Sequence, residues 1–210
     1  MMSGIALAVI PSQAQFNTVT TMPNRYKVEV VSSNTDTTAV WYGKTAAAQD
    51  TSVSSDNIGK KVWVERYLSV CYPLRHIKIN SGYGYRKDPL TGKKKFHNGL
   101  DLHARGDEVL AMMEGVVVKV GQDKASGKYV TLQHGGYTVS YCHLSQIRTV
   151  KGAAVYPRDI VGITGSTGRS TGEHLHITCK LNGKSVDPLL LLNYIKSTQK
   201  ECVAALAELQ

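Results

Sequence analysis

"KYVTLQHGGYTVSYCHLS", Lys128 to Ser145, alternates apolar and polar residues on either side of a Gly-Gly pair. In a β-strand successive side chains point to opposite faces, so this alternation gives each half one core-facing and one polar side. Gly135 and Gly136 can take the positive φ values that a two-residue hairpin turn needs. The stretch therefore reads as two antiparallel strands joined by a tight turn. Outward from it, "EGVVVKVG" (114–121) and "DIVGITGS" (159–166) read as further strands between glycine-marked turns. The pattern runs from about Cys71 to about Pro188. It predicts a mainly β fold of many short strands and turns rather than a helical bundle.

The flanks differ. After "VDP" (186–188) the pattern turns helical, with Asp187 as a cap and Pro188 suited to a first helical position. One or two short helices over 189–210 are expected to dock on the core. Residues 15–70 are rich in Thr, Ser, Asn and Asp, with strand candidates at Tyr26–Val31 and Lys61–Leu68. The section up to residue 72 reads as an extension without its own core. Gly4–Ile10 is a short apolar run that leads through Pro11 to Ser12-Gln13-Ala14. It resembles the end of a secretory signal peptide cleaved after Ala14, although it lacks a positive n-region. The competing reading is an N-terminal tail. No other run is long enough to span a membrane.

The chain of 210 residues is 42% hydrophobic and 20% charged, as in soluble globular proteins. Its net charge of +9 suits a polyanionic partner: nucleic acid, anionic lipid headgroups or bacterial wall polymers. No aromatic–basic pattern of the RNA-binding type occurs. The one compact basic run, Lys93 to Lys95, sits in a turn-like stretch and reads as a solvated loop. Nucleic acid is therefore not the expected partner. The four cysteines, Cys71, Cys142, Cys179 and Cys202, permit two disulfides in three connectivities. They equally permit four buried thiols.

The histidines carry the chemistry. "FHNGLDLH" (96–103) places His97 and Asp101 at i, i+4; "SYCHLS" (140–145) holds His143; "TGEHLHIT" (171–178) holds His174 and His176. In a strand, His174 and His176 project to one face. Spacing leaves open whether they are ligands, bases, one of each, or a polar stripe. Zinc accepts imidazole nitrogen and carboxylate oxygen, and catalytic sites keep three protein ligands and one open position. Two neutral imidazoles and one carboxylate leave a net charge of +1, which lowers the pKa of a bound water toward ~7. A neighbouring histidine can take a proton and return it to a leaving amine. Another can donate to the developing oxyanion.

The glycine-framed blocks "SGYGYRKDPLTGKKKFHNGLDLHARGDEVLAMMEGVVVKVG", "GKYVTLQHGGYTVSYCHLS" and "GITGSTGRSTGEHLHITCKLNGKSVDP" resemble the lysostaphin-type zinc endopeptidases, over residues 73–188. By that resemblance His97, Asp101 and His176 are zinc ligands, and His143 and His174 are the catalytic histidines. The resemblance implies a compact antiparallel β-sheet core with a groove flanked by loops, in a secreted enzyme, periplasmic or at the cell wall. It would cut peptidoglycan peptides with metal-activated water, its basic surface favouring anionic wall polymers. An alternative is a non-catalytic wall-binding or regulatory module of the same fold. Another is a latent enzyme in which Asn17, Asn24, Asn34 or Asn57 of the N-terminal segment fills the open zinc position.

Some features depart from the family pattern or stand beside it. Glu173 replaces a Pro or small residue, and either hydrogen-bonds His174 or faces solvent. Residues 152–161 lack the usual glycine-rich turn. His103 is the one rival ligand, His134 reads as structural, and His76 has no supporting motif. Arg86 either contacts a substrate carboxylate or ties down its own loop. By strand alternation Tyr141 shares a face with His143, while Cys142 and Cys179 point away from the histidines.

Overall fold

Alternation of the kind seen at 128–145 builds most of residues 55–209, the part of the chain that the computed structural model describes. The signal-like run at 1–14, the strand candidate Tyr26–Val31 and the candidates Asn17, Asn24 and Asn34 lie outside the described residues. In chain order the elements are α1 (Ser55–Leu68), β1 (Ile79–Ser81), β2 (Gly84–Lys87), β3 (Lys94–His97), β4 (Leu100–His103) and β5 (Glu108–Leu110). Then come β6 (Gly115–Asp123), β7 (Gly127–His134), β8 (Tyr137–Leu144), β9 (Gln146–Ile147) and β10 (Ala154–Val155). The rest are β11 (Ile160–Ile163), β12 (His174–Leu181), β13 (Lys184–Val186) and α2 (Leu189–Glu208).

The main sheet has eight antiparallel strands in the order β1-β4-β12-β8-β7-β6-β10, with β13 also paired to β12. Strands β5, β11 and β9 form a smaller sheet, and β2 and β3 a separate hairpin. The fold is mainly β, as the alternation predicts. One face of the main sheet is core: Leu132, Val139, Tyr141, Leu175 and Ile177 are all buried there. Each such side chain contributes about 1.5–3 kcal/mol on removal from water. The opposite face of β12, β8, β7 and β6 is polar and floors a groove of about 570 Å³.

Two bulges set which side chains reach that groove. Between the pairs Val130↔Tyr141 and Lys128↔Leu144, Tyr129 alone opposes both Cys142 and His143. His143 takes up the extra residue with φ 61°. Alternation resumes one residue out of phase beyond it. Tyr141 therefore stays in the core, fully buried, while Cys142 and His143 both line the groove. This corrects the expectation that Tyr141 shares the face of His143 and that Cys142 points away. A second bulge lies in β6, where Val117 pairs with Leu132 but Lys119 with Thr131. Val117 faces the core and Lys119 the groove.

The helices also differ from expectation. Lys61–Leu68, read as a strand for its Val, Trp and Tyr content, is the end of α1. Propensity is a weak prior where a helix has a partner to pack on. Here Lys61 and Glu65 pair at i, i+4 (3.9 Å), and Arg66 reaches Glu201 of α2 at 3.1 Å. The C-terminal segment is one helix of 20 residues rather than two short ones, because no Gly or Pro interrupts it. Leu191, Leu192, Ile195 and Cys202 form its buried stripe. Asp187 accepts from the Leu189 amide at 2.9 Å, satisfying one of the free donors at the start of α2. The hairpin turn between β7 and β8 needs only Gly135 at positive φ (55°).

All four cysteines are buried free thiols. Burial pushes Cys142 up to about 12 and Cys179 up to about 11, so neither is a thiolate at neutral pH.

Candidate active site

Strands β3, β4 and β12 bring three donors together. His97 ends β3, Asp101 lies on β4, and His176 lies directly opposite Asp101 on β12. Asp101 Oδ1 is 2.7 Å from His176 Nδ1 and 3.2 Å from His97 Nε2, and the two ring nitrogens are 3.2 Å apart. The His97 tautomer is fixed from behind: Nδ1–H donates to the Gly82 carbonyl at 2.6 Å, which leaves the Nε2 lone pair directed at the cluster. Burial raises the pKa of Asp101, but hydrogen bonds and charge from His176 and His97 outweigh it and hold the carboxyl well below the usual range. Its second oxygen, Oδ2, accepts from Arg86 Nη2 at 3.2 Å. Arg86 is thus tied to its own side of the groove.

Gly99 is required by this arrangement. A Cβ there would lie 2.5 Å from His176 Cε1 and 2.5 Å from the Ile177 carbonyl, closer than atoms pack. The imidazole of His176 occupies the space that a side chain would take.

His143 and His174 stand beside the cluster, ring centroids 4.8 Å apart, with His143 5.6 Å from His176. Each donates Nδ1–H to a backbone carbonyl: His143 to Thr167 at 2.7 Å, His174 to Gly172 at 2.8 Å. Both therefore turn Nε2 toward the groove, and His174 Nε2 is 3.6 Å from Asp101 Oδ1. Burial, and the neighbouring His174 and His176, hold the His143 pKa low, which keeps its free nitrogen unprotonated at neutral pH.

The loop that carries both anchoring carbonyls, 165–172, is itself fixed at three points. Gly168 packs backbone to backbone against Gly127, at a distance that no Cβ would allow. Glu173 does not bond His174: it faces solvent, and its carboxylate accepts from the Gly106 amide. Arg169 reaches both oxygens of Asp88 on the turn between β2 and β3. The bulge at His143 and the Arg169–Asp88 pair were not legible in the sequence; each depends on a partner remote in the chain.

The other histidines lie apart from the cluster. His103 is exposed at the end of β4, opposite His174 of β12 and two residues beyond Asp101, and is not among the grouped donors. His134 is buried and donates Nδ1–H to the Glu114 carbonyl at 2.9 Å. His76 is exposed, as is Asn57 on α1, and neither lines the groove.

A metal fits the cluster. Two imidazole nitrogens and one carboxylate oxygen, all within 4.8 Å of one another, form the donor set that zinc accepts. The fixed tautomer of His97 directs a lone pair into it.

Comparison with known proteins points the same way. Residues 95–188 match Peptidase family M23. The chain is 37% identical over 119 residues to the DD-carboxypeptidase/endopeptidase Mpg of Neisseria meningitidis serogroup B, a match covering 56% of this chain and 27% of that protein. It is 36% identical over 115 residues to the peptidoglycan DD-endopeptidase ShyA of Vibrio cholerae, covering 53% and 27%. The chain thus spans about a quarter of the length of these curated relatives (27%). The catalytic domain of the antimicrobial peptidase lysostaphin from Staphylococcus simulans superposes with a TM-score of 0.51 at 29% identity, over 57% of this chain and 92% of that one.

Proposed function

Because residues 95–188 are a Peptidase family M23 domain, we propose that the protein is an exported zinc endopeptidase that hydrolyses peptide bonds of bacterial peptidoglycan. The observation that carries this reading is the convergence of His97, Asp101 and His176 with His143 and His174 on one groove. The similarity to a relative named as a peptidoglycan DD-endopeptidase supports the substrate class and, with it, a location in the periplasm or at the cell wall.

In this reading His97, Asp101 and His176 hold the zinc. A bound zinc supplies Lewis acidity toward the scissile carbonyl and the water nucleophile. His143 is the general base. The Thr167 carbonyl holds its ring, and its neutral Nε2 takes the proton of the attacking water and passes it to the departing amine. His174, whose Nδ1–H is held by the Gly172 carbonyl, turns Nε2 to the groove and is the second catalytic histidine of this reading, beside the developing oxyanion. Arg86 holds Oδ2 of Asp101 and leaves Oδ1 to the histidine cluster. The polar groove floor accepts an extended peptide.

The test is mass analysis of soluble products released from peptidoglycans of known cross-link type, with and without a chelator. Chelator-sensitive release of cut peptides is expected. Wall lysis by a His176→Ala protein that holds no zinc would overturn the reading.

A further inference from the structure

The groove continues past the histidines along the polar face of the main sheet. Thr178 on β12 pairs with Ser140 on β8, Ser140 with Thr131 on β7, and Thr131 with Lys119 on β6. These four side chains form one straight row across four strands, spanning ~14 Å at the usual strand spacing. The row lies two residues, ~7 Å, beyond His176 along β12. Lys180 projects from the same face of β12, paired with Thr138, a further two residues on. The hydroxyls of Thr131 and Ser140 bond each other at 2.9 Å.

Four cations line this groove: Arg86, Arg169, Lys119 and Lys180. The two arginines are paired, with Asp101 and Asp88 respectively. Neither lysine makes an ion pair with a carboxylate among the described residues. Lys119 lies over the ring of Tyr129, 5.1 Å from its centroid, and the β6 bulge turns it into the groove. The remaining acid nearby, Asp123, accepts from the Ala125 and Ser126 amides (2.8 and 2.6 Å) in its own turn, and its charge acts on Lys119 from there without a direct ion pair. The far end of the groove is therefore a hydroxyl floor between two lysines, neither of them in a direct ion pair among the described residues. Such a surface favours anionic over neutral ligands.

Building on the peptidase reading, we infer that Lys119 and Lys180 form a carboxylate-reading subsite, which makes the preferred substrate a peptide with free carboxylates rather than an uncharged glycine chain. Free carboxylates of the peptide sit against the lysines, while its backbone lies over the threonine and serine hydroxyls.

The test is binding to the full chain carrying His143→Ala, so that turnover does not interfere. The probes are a cross-linked stem-peptide dimer with free carboxylates and the same dimer amidated with carbodiimide. The free form is expected to bind about tenfold more tightly at low salt, the order of one or two partly screened ion pairs. Lys119→Gln/Lys180→Gln should bring the two probes close to parity. Lys119→Arg/Lys180→Arg should restore the preference, and the control Lys200→Gln on α2 should retain it. Equal binding of both probes, no binding of either, or full preference in the double Gln variant would overturn the inference. Hydrolysis by the unsubstituted chain is scored separately. Cleavage without charge preference removes this subsite and leaves the peptidase reading standing, whereas preferential binding without cleavage does the reverse.

Discussion

Nη2 of Arg169 lies 2.8 and 3.0 Å from the two oxygens of Asp88, joining the loop before β12 to the turn between β2 and β3. Asp88 also accepts from the Leu90 and Thr91 amides, so one carboxylate organises both groove-lining segments. The loop it secures supplies the carbonyls that orient His143 and His174. Arg169→Ala is expected to loosen 165–172 and lower kcat/KM while leaving zinc content at one per chain. Hydrogen exchange at those amides and metal analysis check the two halves.

The same pair sets a pH dependence. The Arg169 hydrogen bond holds the Asp88 carboxyl well below the usual carboxylate range, with burial acting against it. A carboxylate whose folded pKa is depressed stabilises fully above its unfolded value and loses that contribution as pH falls through the folded one. The joint should therefore stay closed at neutral and mildly acidic pH and open only in strong acid. Exchange at 165–172 should rise severalfold in Asp88→Asn at pH 7, without further acid dependence from this pair.

Ligand and base substitutions should separate. Asp101→Asn and His176→Ala are expected to lose zinc. His143→Ala should keep it and lose turnover by about 10²–10⁴-fold, the usual range for removing a general base. Metal content and product release, measured on the same preparations, decide this.

Gly99→Ala tests the packing behind the metal cluster. The new Cβ meets His176 Cε1 at 2.5 Å, so the ring must turn away from Asp101. Zinc affinity is expected to fall about 10–100-fold, as when a ligand loses its orienting contact. Competition with a chromophoric chelator measures it.

His134 gives the fold an acid sensitivity of its own. Burial lowers its pKa from 6.5, and its Nε2 has no partner among the described residues. The unfolded chain therefore binds this proton first, and stability falls as pH drops below about 6.5 toward the folded value. His134→Asn should flatten that slope. Thermal melting of both proteins between pH 7 and 5, at saturating zinc, reads the difference.

Local pattern made much of this legible. The β7–β8 hairpin follows from its alternation and its glycine pair. His174 and His176 share a face because strand period is two. Their meeting with His97 and Asp101 is a matter of sheet order, β4 beside β12, which spacing does not encode and which family resemblance supplied. Local pattern was misleading where long-range contacts prevailed. The Val and Trp content of 61–68 suggests a strand, yet α2 offers a helical partner. Alternation through Tyr141 and His143 suggests a common face, yet a positive φ at a histidine leaves no mark in composition.

The two bulges have a consequence for comparison and engineering. His143 and Lys119 reach the groove only because β8 and β6 each carry one residue more than their partner strand. The site is thus encoded in strand length as well as in residue identity. Inserting a single residue beside Tyr129 in β7 would preserve every histidine and still exchange the inner and outer faces at the end of β8. An alignment that closes such a gap silently would score the motif as intact while the imidazole pointed into the protein.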